Sequence, residues 1–138
     1  MKKGVRSKAD LTQGTVFDPN CPVRDVLSHI ATRWGVLIVA ALNEGPRRYF
    51  ELKARIGGIS EKMLAQTLRL LTRDGIVERD VEPSSPPKVT YTLTALGREL
   101  ANPLHQLLER IQACNQDVTA AQLAYDHAPL YTESQVPQ

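Results

Sequence analysis

The chain is poor in residues that would commit it to several common classes. Two cysteines, Cys21 and Cys114, in 138 residues give no argument for a structural disulfide. The three histidines, His29, His105 and His127, are scattered, and neither cysteine has a second ligand at metal-site spacing, so no metal centre is expected. The sequence has no Gly-rich phosphate loop and no set of nucleophile, base and orienter, which argues against an enzyme and against a bound cofactor. The longest apolar run, Gly35 to Leu42, falls well short of the roughly 18 to 20 residues of a membrane span. The first residues also lack the apolar stretch of a secretory signal. A cytoplasmic protein with no membrane partner is therefore expected. Neither charge sign dominates: the formal net charge is +2, too small to argue for a polyanionic partner by itself.

The charge that is present is unevenly placed. The length is that of one domain, and a hydrophobic content of 42% is ordinary for a globular protein. From Arg47 to Arg73 seven Lys or Arg stand against two Glu, a net +5, while from Asp74 onward four stand against nine acids, a net −5. Attraction to phosphate acts over about one Debye length, roughly 8 Å at physiological salt, so a local cationic segment counts for more than the total.

That segment opens a telling series of elements. Between Arg48 and Thr94 the pattern reads helix, glycine turn, helix, strand, proline-rich loop, strand. This is the order of a winged helix-turn-helix, which presses its second helix into the major groove of DNA and its hairpin against the neighbouring backbone. The second helix should begin at Ser60, a good N-cap, with Glu61 at the positive end of the dipole and Ile59 and Leu64 at staple positions. It should end near Asp74, where Gly75 can supply the left-handed residue and Ile76 can close back on Leu71. Leu64, Leu68 and Leu71 recur at i, i+4, i+7 and bury one side, whereas Lys62, Gln66, Arg69 and Arg73 form a cationic and amide stripe on another. Gln pairs with the N6/N7 edge of adenine and Arg with the O6/N7 edge of guanine, so the stripe suits base reading as well as phosphate binding. Taken alone, a solvated basic face is the blander reading; the flanking elements favour DNA. Ser60, Met63 and Thr67 complete the candidate contacts on this helix.

Upstream, Tyr49, Leu52, Lys53 and Ile56 share a face of a short helix that meets the second across Gly57-Gly58-Ile59. Downstream, Ile76 to Glu82 and Val89 to Thr94 read as strands of a hairpin, with Val89, Tyr91 and Leu93 alternating with three threonines. Between them Pro83-Ser84-Ser85-Pro86-Pro87-Lys88 is too proline-rich to continue a ladder and reads as a wing tip, with Ser84, Ser85 and Lys88 offered to phosphates.

The combination of Cys21-Pro22, Arg33-Trp34, Arg48-Tyr49 with Glu51-Leu52, Gly58-Ile59-Ser60 with Lys62-Met63-Leu64, Leu68 with Leu71, Gly75-Ile76-Val77 with Arg79, Pro86-Pro87, Tyr91-Thr92-Leu93-Thr94 and Gly97 resembles the HxlR-type, MarR-like family of bacterial winged-helix transcriptional regulators. The resemblance runs from about Cys21 to Ile111. It implies a homodimer on operator DNA, and some members sense oxidants or electrophiles through a cysteine near the N-terminus. Phe50 departs from the small or polar residue usual there, which leaves Arg47 and Arg48 as the phosphate contacts at the start of the first motif helix.

The expected fold is mainly α with a small β-hairpin, a winged helix-turn-helix with flanking N- and C-terminal dimerisation helices. Residues 1–20 are expected as a flexible basic arm, 21–118 as the DNA-binding and dimerisation domain and 119–138 as a C-terminal tail. Pro22 at N1 should start a helix through Val23, Val26, Leu27 and Ile30. Gly35 to Leu42 fits strand or helix by periodicity, and its length and closure at Asn43-Glu44-Gly45-Pro46 favour a buried helix, with Trp34 a core anchor. Thr94 should cap a last helix through Leu96, Leu100, Leu104, Leu107, Leu108 and Ile111, kinked at Pro103. This stripe outlasts a small core; it is covered either by a dimer partner or by the chain's own domain.

Cys21 sits where helix N-terminal amides, the dipole and Arg24 can stabilise a thiolate, which suits attack on a small-molecule oxidant or electrophile. Cys114, on a face with Leu107 and Ile111, is either the partner that resolves such an oxidation across a dimer or a buried apolar filler. Two rival readings are a winged helix that binds only protein and, more remotely, a small thiol peroxidase.

Overall fold

A computed structural model describes residues 15–128. Residues 1–14 of the expected arm and 129–138 of the expected tail lie outside the described residues. The described parts form two compact units, divided between Leu104 and His105.

In the first unit Thr15–Phe17 make a short 3-10 turn, and the Cys21 amide donates to the Asp18 carbonyl at 3.0 Å. The end of the expected arm is thus turned back and hydrogen-bonded. Helix α1 spans Pro22–Ile30 with Cys21 at the N-cap. The ambiguous apolar run is helical: α2 spans Arg33–Asn43, started by Thr32, whose hydroxyl accepts from the Gly35 amide at 2.9 Å. It buries Ile38, Val39 and Leu42. Trp34 is half-buried against this core, and the Arg33 guanidinium lies 4.2 Å above its ring.

The motif follows as β1 (Arg47–Arg48), α3 (Tyr49–Arg55), α4 (Glu61–Arg73), β2 (Val77–Glu82) and β3 (Lys88–Leu93). The sheet has three antiparallel strands in the order β1-β3-β2, where the sequence pattern predicted only a hairpin. Two residues are too few to show alternation, and β1 exists because Arg47 and Arg48 pair with Tyr91 and Thr90. Lys88 is not in the loop but opens β3 opposite Glu82. In this register Val77, Arg79 and Val81 share a face with Leu93, Tyr91 and Val89, and Glu78, Asp80 and Glu82 point the other way.

Helix α4 ends as its local residues dictate. Gly75 has φ +78°, its amide donates to Thr72, and the Ile76 amide donates to Leu71, both near 3 Å, which is the complete Schellman pair. Leu64, Leu68, Leu71 and Ile76 are buried with Leu52 and Ile38 in one core. Helix α5 spans Ala95–Ala113, capped by the Thr94 hydroxyl on the Gly97 amide, and it continues past Pro103.

In the second unit α6 spans Asn115–Asp126, through the boundary at 118 where the sequence pattern placed the start of the tail. Its first turn carries Asp117 and its middle is rich in alanine, which sustains a helix without a strong apolar period. No described residue from 105 to 128 is buried, and Leu107, Ile111, Val118, Leu123 and Tyr125 are exposed.

Candidate nucleic-acid interface

Helix α4 is held from both ends. The Ser60 hydroxyl accepts from the Met63 amide at 3.0 Å, and the Tyr49 hydroxyl donates to the Glu61 carbonyl at 2.8 Å, tying α3 to the first turn of α4. Burial pushes the Tyr49 phenol above its ordinary value, with Glu61 and Tyr91 adding to the rise, so the ring stays a neutral donor. At the far end Asp74, the C-cap, lies 2.6 Å from Nδ1 of His29 on α1, with the two side chains 7% and 17% exposed. This pair joins residues 45 apart and left no local signal in the sequence.

Between these anchors the structure exposes Lys62, Gln66, Arg69 and Arg73 together, while Met63 is partly exposed at 37%. Thr67, expected among the contacts, is corrected: it is 6% exposed and faces the core. It lies three residues after Leu64 and four before Leu71, which places it on the buried stripe, a spacing legible in the sequence.

Ion pairing separates fastening cations from available ones. Glu44 accepts from Nη2 of Arg47 at 2.6 Å and from Nε and Nη2 of Arg55 at 2.9 and 2.7 Å. Arg47 also donates from Nε to the Ala41 carbonyl at 3.0 Å. Arg47 is therefore a corrected candidate: its guanidinium fastens β1 to the end of α2. Among the described residues no carboxylate forms an ion pair with Arg48, Lys62, Arg69, Arg73, Arg79 or Lys88. The Arg48 amide donates to Glu51 at 2.7 Å as the entry to α3, and Phe50 beside it is exposed. In the wing tip Ser84 donates to the Pro86 carbonyl at 2.6 Å, so its proton is not free for a phosphate, whereas Ser85 and Lys88 are exposed. The acidic row of β2 occupies one sheet face and leaves Arg79, which sequence reasoning did not select, as the cation of that strand on the other.

Residues 29–118 match the family model described as HxlR-like helix-turn-helix. The chain belongs to this family. The protein named HTH-type transcriptional regulator YtfH in Escherichia coli is 44% identical over 110 residues, covering 80% of this chain and 87% of that one. Among solved structures, the protein named transcriptional regulator YtfH from Salmonella typhimurium aligns with a TM-score of 0.73 and 42% identity, covering 78% of this chain and 96% of the other. The redox regulator HypR, in its oxidized form, aligns with a TM-score of 0.62 and 35% identity over 67% of this chain and 96% of its own. The winged-helix architecture of the HxlR-like chain is thus that of helix-turn-helix transcriptional regulators.

Both cysteines of this HxlR-like chain are free and half-buried. Cys21 makes no side-chain capping bond, and Arg24, expected to support its thiolate, donates from Nη1 to the Phe17 carbonyl at 3.2 Å. Cys114 is the N-cap of α6. No group of three or more His, Cys, Asp or Glu able to hold a metal occurs among the described residues. No single described helix is long and apolar enough to cross a membrane.

The fastening role of Glu44 has a measurable pH signature. Its hydrogen bonds from Arg55 bring the Glu44 carboxyl from an ordinary 4.5 to about 2; lost hydration opposes this and Arg47 adds to it. A carboxyl lowered in the folded state stabilises the fold fully above its unfolded value and loses that contribution as pH falls through its folded value. Glu44→Gln is expected to be the less stable protein at neutral pH, with the gap closing from pH 4.5 to about 2. Urea midpoints of the two proteins across that range check this, and a gap constant with pH would refute it.

Proposed function

We propose that this chain is a homodimeric cytoplasmic repressor that binds operator DNA through α4 and the wing, and that modification of Cys21 weakens the binding. The observation that carries the DNA reading is the exposed, acid-free stripe of Lys62, Gln66, Arg69 and Arg73 on a helix anchored at both ends. Residues 21–118 carry both the reading head and pairing. The uncovered apolar side chains of residues 105–128 support a second copy as their cover. Two reading helices about 34 Å apart would then meet half-sites one turn apart.

The sensing half rests on the position of α1. Cys21 stands at its start, and His29 near its end is bonded to Asp74 at the end of α4, so a displacement of α1 is felt at the reading helix. Likeness to a protein named a redox regulator supports the same reading. With a hydroperoxide, the Cys21 thiolate attacks the terminal peroxide oxygen, the O–O bond breaks, and the departing alkoxide takes a proton from water, leaving a sulfenic acid. With a quinone, the thiolate adds to a ring carbon, the electron pair moves to the carbonyl oxygen, and that oxygen takes a proton from water. Attack on the sulfenic acid by the Cys114 thiol of the second copy would expel water and close a disulfide.

Footprinting of the chain's own promoter region, repeated with peroxide, with a quinone and with a thiol reductant, tests the proposal. Operator affinity is expected to fall about 5- to 150-fold on oxidation, the range of a coupling of roughly 1 to 3 kcal/mol, and to recover after reduction of a peroxide-treated sample. Cys21→Ser should bind as the unaltered chain does and ignore both reagents; an undiminished response in that variant places the sensor elsewhere.

A further inference from the structure

We propose that Phe50 reads a thymine in each operator half-site by covering its 5-methyl group, which makes it a specificity-determining residue outside the α4 stripe. From β1 to β3, Phe50 is the large apolar side chain left most open to solvent, 65% exposed against 42% for Val81 and 37% for Met63. The core takes Leu52 and Ile56 from the same stretch of chain and leaves this ring out. Phe50 follows Tyr49, whose hydroxyl donates to the Glu61 carbonyl at 2.8 Å. The first turn of α3 therefore stands within the reach of one tyrosine side chain from the first turn of α4. Arg48, the residue before this turn, forms no ion pair with a carboxylate among the described residues.

That neighbourhood selects the occupant. In a helix-turn-helix the first turn of the second helix meets base edges while the first helix crosses the adjoining backbone, so a side chain at the start of α3 stands at the lip of the major groove. A phosphate there is charged and hydrated, and an apolar ring gains nothing from it. Thymine alone presents an apolar group in the major groove, its C5-methyl. Pyrimidine C5 also lies on the side of the groove next to its own strand's backbone, where a ring reaching in from the lip meets it first. Contact between ring and methyl takes two apolar surfaces out of water at once. The inference rests on the proposed reading of DNA by α4 and adds a base pair to it: Gln66 and Arg69 suit hydrogen-bonding edges, and Phe50 suits a methyl.

Duplexes of the footprinted operator in which each thymine in turn is replaced by uracil test this with the full chain, because uracil lacks the methyl and keeps every hydrogen-bonding group. One position in each half-site should lose about three- to fivefold in affinity, the effect of uncovering a single methyl. Phe50→Ser should bind the thymine and uracil forms at that position equally, and Phe50→Leu, which stays apolar, should keep part of the preference. Each comparison is made within one protein, so a change in its stability or active fraction cancels. Uracil without effect at every thymine, or a preference as large in Phe50→Ser as in the unaltered chain, overturns the proposal and leaves the reading of DNA by α4 in place. A preference removed by Met63→Ala and kept by Phe50→Ser assigns the methyl to α4 and overturns it likewise. If the unaltered chain binds the operator no better than an unrelated duplex, the proposed function falls and this inference with it.

Discussion

Alanine at Gln66 or Arg69 is expected to relax discrimination at one base pair of the operator, by about 1 to 3 kcal/mol if a two-point base contact is lost, while affinity for unrelated duplexes changes much less. Lys88→Ala is expected to weaken binding to every sequence alike and to reduce the salt slope by about one phosphate contact. The contrast follows from where the side chains stand. Gln66 and Arg69 are exposed near the middle of a helix whose first turn is tied down by Ser60 and Tyr49 and whose C-cap is tied down by His29. Their backbone is held, so the planar end groups can meet a base edge with little further ordering. Lys88 stands at the mouth of the wing, opposite Glu82, where a compact charge on a flexible stem suits a phosphate and no base edge. Binding isotherms on duplexes carrying single base-pair changes, taken at several salt concentrations, separate the two behaviours. Three mutants that lose affinity in the same way would remove α4 from base reading.

Gly97→Ala is expected to destabilise the protein by about 1 to 3 kcal/mol, although alanine favours helix and the site lies in the first turn of α5. A Cβ at residue 97 would stand 2.2 Å from the carbonyl oxygen of Ile76 and 3.2 Å from Cδ2 of Leu93. The first of these atoms belongs to backbone and cannot rotate away. That carbonyl also accepts the Thr94 amide at 3.0 Å, so any retreat strains the bond that joins the end of α4 to the start of α5. Ile76 is fully buried and closes α4 through its own amide on Leu71, so the displacement also reaches the reading helix. A urea midpoint lowered with unchanged slope, together with a sequence-independent loss of DNA affinity, is the expected pair of results. A variant as stable as the unaltered chain would mean that α5 does not approach Ile76 so closely.

The reading helix was legible from residue order because its limits are local. Ser60 and Glu61 at one end and Gly75-Ile76 at the other act within one turn of chain, and the structure places Ser60 as cap and Gly75 at positive φ. The cationic stripe was legible for the same reason, since a fixed pitch converts spacing into a shared face. The β3 strand followed from the alternation of Val89, Tyr91 and Leu93 with threonines. Thr67 was misjudged although its spacing from Leu64 and Leu71 held the answer, because a hydroxyl among polar neighbours looks exposed until the pitch is counted.

The amino-acid sequence by itself determined the order of elements, the ends and faces of α4, and the family to which the chain belongs, because each depends on neighbours a few residues apart. Only the tertiary structure decided that Arg47 fastens β1 to α2, that β1 joins the sheet, that His29 holds Asp74, and that Arg79 stands opposite Tyr91. These are meetings of groups brought together by chain closure, and residue type alone does not say which of many available partners a long side chain will find.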